Sequence, residues 1–149
     1  MSTVLLPANH HSQWISAVAD AVLETEADAQ TGLTTVVAHV FDTAEVESTN
    51  DNLDISGRAK LDELASRKTG VSTAVDRLDD AGVTTEARGF QYDGEPADAI
   101  IDAADEIDAD RVYMYSRKRS PAGKAVFGST LQQVVLNAAI PVVVVPPQY

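Results

Sequence analysis

The chain has 149 residues, 44% of them hydrophobic, which fits one globular domain and excludes a disordered chain. It has no cysteine, which excludes a disulfide scaffold, a thiolate nucleophile and any cysteine-ligated zinc or iron–sulfur site. Its 23 acids and 11 bases leave a net charge of −12, which argues against a polyanion such as duplex DNA as partner.

Residues 3–8, TVLLPA, predict a short buried strand that Pro7 stops. A helix follows from Ser12, with Ile15, Val18, Ala19 and Val22 at helical spacing. Residues 33–41, LTTVVAHVF, predict a second strand, and the acidic, polar residues 42–54 a loop. Leu61, Leu64, Val71, Val75 and Leu78 form one helical stripe that runs through Gly70, with Gly82 as its C-cap. Residues 83–91 predict the third strand. Gly94, Glu95 and Pro96 open the next helix, with Pro96 suited to its first turn and Ala97, Ile100, Ile101, Ala104 and Ile107 as its inner face. Residues 111–116 predict a fourth strand. Residues 128–139 predict a helix with Leu131, Val134, Val135 and Ala138 turned inward, and residues 141–146 the fifth strand.

This βαβαβαβαβ pattern, without internal repeat, predicts an α/β fold: an open, parallel, five-stranded sheet with helices on both faces. In such sheets a ligand sits beyond the carboxyl ends of the strands, near the point where strand order reverses. The loops after strands one and four, residues 9–11 and 117–127, are therefore the segments to search.

The charge is unevenly distributed. The last acid is Asp110. The first 110 residues carry −17, and the remainder holds five bases (Arg111, Arg117, Lys118, Arg119 and Lys124) and no acid. Four of these lie within residues 117–124, the natural place for an anionic ligand. The surplus of Asp over Glu and the scarcity of Lys suit a cytoplasmic protein of a salt-adapted organism, where screening removes self-repulsion. The first residues lack the pattern of a signal peptide, and the apolar run 138–147 is too short to cross a bilayer.

Several nucleotide and catalytic motifs are missing. PANHHS after strand one has no glycine for a dinucleotide fingerprint, Gly123-Lys124 is followed by Ala125 rather than Ser or Thr, and there is no G-x-S-x-G. The adjacent His10 and His11 read as loop residues and His39 as a strand residue rather than as metal ligands. Asp98, Asp102, Asp105 and Glu106 read as a solvated helix face. Trp14 and Tyr149 read as packing or interface residues.

The segment MYSRKRSPAGKAVFGS, from Met114 to Ser129, resembles the signature of the universal stress protein (UspA) family, G-x2-G-x9-G-[ST] after strand four. The spacing is kept. Tyr115 and Lys118 stand at the first two glycines, and Gly128 and Ser129 match the last pair. Leu5-Leu6-Pro7, Ala38-His39-Val40, the run GEPADAI from Gly94 to Ile100, and residues 137–145 resemble further family segments in the right order.

The resemblance implies one UspA-like domain over residues 1–149, with strand order 3-2-1-4-5. It also implies a cytoplasmic stress-response binding or signalling module rather than an enzyme, able to take ATP or a related adenine nucleotide with Mg. The implied contacts are Ala8, Asn9, Val40, Met114, Ser116, Arg117, Arg119, Lys124, Gly128, Ser129 and Thr130. Asn9 replaces the family's Asp and keeps an acceptor oxygen without the charge. At Tyr115 and Lys118 a Cβ blocks close approach of phosphate, or the Lys118 ammonium replaces the lost contact. Ser129 with Gln132 also reads as an ordinary capping box. The alternatives are a dimeric interaction protein that binds no nucleotide and, behind it, a slow nucleotide hydrolase. The apolar edge strand 142–145 implies pairing with its twin in a homodimer.

Overall fold

The computed structural model describes residues 2–8, 12–26, 32–44, 58–116, 118–119, 125–126 and 128–146. Strand β1 (Ser2–Pro7), helix α1 (Ser12–Thr25), β2 (Leu33–Asp42), α2 (Arg58–Ser66), α3 (Thr69–Asp80) and β3 (Thr84–Tyr92) make the first half. Helix α4 (Pro96–Glu106), β4 (Arg111–Tyr115), the two-residue strands β5 (Lys118–Arg119) and β6 (Ala125–Val126), α5 (Ser129–Asn137) and β7 (Val142–Val145) complete it. Five strands form one parallel sheet in the order β3-β2-β1-β4-β7, which is the expected 3-2-1-4-5.

Alternation along each strand divides the core between the two faces of the sheet, because successive side chains point to opposite sides. Val4, Leu6, Val37, Tyr113 and Tyr115 meet α1 and α3 on one face. Leu5, Val36, Ala38, Val40, Val112 and Met114 meet α4 and α5 on the other. The central strands are buried on both sides, which explains their near-continuous apolar sequence. Among the described residues no helix is long and apolar enough to cross a membrane.

Four details differ from the sequence reading. First, the stripe from Leu61 to Leu78 is two helices, not one. The chain breaks at Lys68, whose backbone is extended (φ −72°, ψ 137°). Helix α3 buries Val71, Ala74 and Leu78 under the sheet face, whereas α2 runs beside β3. A single straight helix cannot lie on both surfaces.

Second, α3 closes at Ala81, with Gly82 one residue beyond at φ +83°. The Gly82 N–H donates to Asp79 O (2.9 Å) and the Val83 N–H to Leu78 O (3.1 Å), a Schellman closure. Third, Val135 is not an inner residue of α5. It is 39% exposed and its neighbour Leu136 71%. Fourth, the stretch after β4 forms a small antiparallel ribbon that pairs Lys118 with Val126 and Arg119 with Ala125.

One edge of the sheet is covered. The Gly89 N–H on β3 donates to the Asp62 carboxylate of α2 at 2.9 Å. Helices α1 and α3 are tied by Arg77, whose guanidinium donates to both Asp20 oxygens at 2.5 and 2.9 Å. That hydrogen-bonded pair holds the guanidinium above its ordinary pKa. It is exposed, so its contribution to stability is small.

Candidate functional site

Strand order reverses at β1, which has β2 on one side and β4 on the other. Helices leave toward opposite faces at this point, and their separation opens a crevice at the carboxyl ends of the strands. The crevice here is a cavity of about 340 Å³, within the range of small-molecule sites. Pro7, Val40, Ile100, Met114 and Leu131 give it an apolar lining. Gly128, Ser129 and Thr130, at the start of α5, form its polar end. Tyr92, at the end of β3, Tyr115, at the end of β4, and Pro96, at the start of α4, complete the wall among the described residues.

The tip of α5 is built to receive a negative group. Its first-turn N–H groups have no partner within the helix, and its dipole is positive at this end. Gly128 is the N-cap, no side chain among the described residues caps the helix, and the first turn holds no acid. The capping box expected from Ser129 and Gln132 is therefore not formed. Ser129 sits one position too late, already inside the helix, because Gly128 takes the cap. The Gln132 N–H donates to Gly128 O (3.0 Å) as the first helical bond.

Gly128 itself has an ordinary extended backbone (φ −71°, ψ 166°) that any residue adopts. A Cβ built there meets none of the described residues within 4 Å, its chain neighbours aside. Neither backbone geometry nor packing requires glycine at this position, yet its missing side chain leaves the cavity open against the helix tip.

Of the residues expected to touch a ligand, Val40, Met114, Gly128, Ser129 and Thr130 line this one cavity. Ala8 and Ser116 do not. Ala8 is buried in the core on the α1 and α3 face. Ser116 is fully buried, and its N–H donates to Val145 O at 2.9 Å. Asn9, Arg117 and Lys124 lie outside the described residues, as do His10, His11 and Tyr149. Arg119 and Lys118 are placed as backbone of the small ribbon.

The expected obstruction by Tyr115 does not arise from its ring. Tyr115 follows Met114 on β4, so its side chain takes the opposite face, where it stacks on Trp14 of α1 (centroids 5.9 Å apart, planes 13° apart). Trp14 is a packing residue, as expected. Pro7, Tyr92, Pro96, Ile100 and Leu131 were missed as cavity residues. Only Pro7 and Pro96 carried a signal, since each marks the end of a strand or the start of a helix beside the crevice.

Two further features lie away from the crevice. At the amino end of β4, the Arg111 guanidinium donates to Glu26, and the Tyr113 hydroxyl donates to the same carboxylate at 3.1 Å. Burial pushes the Tyr113 phenol above its ordinary pKa, and the neighbouring Glu26 charge adds to this. Burial works against the Arg111 charge, but Glu26 outweighs it and leaves the guanidinium more basic than usual. This base is thus paired with the protein's own carboxylate and is not available to a ligand.

The second feature is an acidic cleft of about 560 Å³ behind Tyr92, rimmed by Asp93, Glu95, Asp98, Asp102 and Glu106. Among the described residues no group of three or more His, Asp or Glu could hold a metal ion.

A sequence model of the Universal stress protein family matches residues 1–146. The chain belongs to the universal stress protein family. A universal stress protein of Mycolicibacterium smegmatis is 33% identical to it over 93 residues, which is 62% of this chain and 70% of the other. The universal stress protein from Archaeoglobus fulgidus aligns with a TM-score of 0.70 at 27% identity, over 97% of this chain and 98% of that one. The universal stress protein from Archaeoglobus fulgidus in complex with dAMP aligns with a TM-score of 0.69 at 21% identity, over the same shares of each chain. At that identity the second likeness speaks for the fold of the universal stress proteins.

Proposed function

We propose that this universal stress protein is a binding or signalling module that takes an adenine nucleotide in the crevice, with its phosphate on the tip of α5. The observation that carries this reading is Gly128. It leaves open space against an uncapped helix N-terminus where the protein's own structure has no need of a glycine. Such a position lets a phosphate reach the backbone N–H groups directly. The apolar lining around Val40 and Met114 suits a base, and the hydroxyls of Ser129 and Thr130 add donors at the phosphate end. A relative of the same fold is known with dAMP bound. ATP, carrying Mg on its phosphates, and AMP are the ligands to try.

The test is calorimetric titration with AMP and with Mg-ATP, in molar salt to screen the net charge of −12. Binding by the wild type and a loss of at least about tenfold in Gly128→Ala are expected, since one methyl group there displaces the phosphate from its donors. The variant's melting temperature should stay within about 3 °C, because its Cβ has no described residue within 4 Å beyond its chain neighbours. An absence of heat from either nucleotide would favour the dimeric interaction protein instead. Turnover of the nucleotide is not expected, because none of the described residues lining the cavity carries a carboxylate or imidazole to activate water.

A homodimer through β7 is part of this proposal. Among the described strands β7 pairs only with β4, and Val142, Val143 and Val144 are partly exposed. An uncharged β-branched edge of this kind is a template for another strand. The exposed Leu136 on α5, the helix that leads into β7, adds apolar surface. Gel filtration in molar salt should give twice the 15.8 kDa chain mass, and a clean monomer rejects the dimer.

A further inference from the structure

We propose that Tyr92 is the residue on which the base of the bound nucleotide stacks, and that it fixes which way round the nucleotide lies; this rests on the nucleotide reading above. Among the described residues, two aromatic side chains belong to the cavity lining, Tyr92 and Tyr115. The Tyr115 ring is committed to Trp14 on the opposite face of the sheet. That leaves Tyr92, which packs partly buried against the core on the cavity's own face.

Its position fits a base rather than a phosphate. The polar end of the cavity lies where α5 follows β4, and Tyr92 ends β3, three strands away across β1 and β2. At the usual strand spacing this is roughly 14 Å, enough to separate the two ends of a nucleotide. Tyr92 also forms part of the wall of the acidic cleft, beside Asp93, Asp98 and Asp102. The carboxylates repel a phosphate from this end, while the positive tip of α5 attracts it at the other. Charge therefore orients the ligand and leaves its uncharged ring system against the tyrosine.

The backbone holding Tyr92 is fixed independently of its ring. The Thr43 hydroxyl donates to the Tyr92 carbonyl at 3.0 Å, and the residue pairs with Asp42 of β2. Replacing the side chain should thus leave the strand end in place.

The test compares AMP with ribose 5-phosphate, which keeps the phosphate and lacks the base. Tyr92→Ala should bind AMP about tenfold more weakly or worse, in line with the loss of base–aromatic stacking, and bind ribose 5-phosphate as the wild type does. Tyr92→Phe should restore AMP affinity, and Tyr92→Leu, which keeps apolar volume, should not. Equal losses for both ligands in Tyr92→Ala, or full affinity in Tyr92→Leu, overturn the stacking role while the nucleotide site stands. No binding of AMP or Mg-ATP by the wild type overturns the site and the stacking role together.

Discussion

Gly89→Ala is expected to destabilise the protein by about 3 kcal/mol, the upper part of the range for overpacking a core. A Cβ at residue 89 falls 2.3 Å from the carbonyl oxygen of Leu61 and 2.7 Å from its carbonyl carbon. Both are backbone atoms of α2, so no rotamer change relieves the clash and the whole helix must move. Moving α2 also stretches the bond from the Gly89 N–H to the Asp62 carboxylate, which satisfies a donor on the edge strand. For a chain of this size the melting temperature should fall by about 6–12 °C in a thermal denaturation monitored by circular dichroism. An unchanged melting temperature would show that α2 does not press on β3 in solution. Asp62→Asn makes a graded control, because it keeps an acceptor for the Gly89 N–H and removes only the charge.

Glu26→Ala should cost about 2–4 kcal/mol for a different reason. The carboxylate is only 8% exposed, and it receives both the Arg111 guanidinium and the Tyr113 hydroxyl. Removing it strands a partly buried cation and a fully buried hydroxyl, and the desolvation cost of both is then uncompensated. Arg111 keeps 28% of its side chain in solvent, which places the expected loss below that of a fully buried broken pair. Urea denaturation at neutral pH, with unchanged slope and lowered midpoint, is the check.

The same cluster gives a pH dependence. Tyr113 holds its proton to higher pH when folded, through burial first and the Glu26 charge second. Between the unfolded phenol value, about 10, and the raised folded value, the unfolded chain has lost this proton and the folded chain has not. The contribution is therefore fully present below about pH 10 and is lost as pH rises through the folded value. Tyr113→Phe should flatten the fall of the urea midpoint over that alkaline window, and a slope identical to the wild type would exclude Tyr113 as its source.

Much of the architecture follows from the sequence because local patterns carried it. Apolar strands alternating with helical stripes fixed the parallel sheet, and the GEP turn placed a helix start where Gly94 adopts φ +115° and Pro96 takes the first helical position. The stripe from Leu61 to Leu78 misled because periodicity reports that a helix buries a face, not which surface it buries that face against. The bend at Lys68 follows from α2 serving β3 and α3 serving the sheet face. Val135 misled similarly: its neighbour Val134 takes the inward position on α5, and the next residue round the helix turns toward solvent beside Leu136.

The candidate site was legible in outline. Glycine and hydroxyl residues before a helix, in a base-rich stretch, pointed to the tip of α5. What the linear order does not reveal is the meaning of Tyr115, Gly128 and Tyr92. Tyr115 looks like an obstruction until strand alternation turns its ring onto Trp14. Gly128 looks like one more motif glycine until its Cβ position proves empty. Tyr92 looks like an unremarked strand end until the sheet order sets β3 three strands from β4, at the other end of the same crevice.

By itself, then, the sequence determined the alternation of the five sheet strands with helices, the parallel sheet with its two buried faces and the segment that supplies the helix tip. These depend on period and turn chemistry within a few residues of one another. Only the tertiary structure decided which side chains share the cavity, which base is spent on Glu26 and where glycine is compulsory. Those depend on distances between segments remote in the chain, and sheet order and helix docking set such distances.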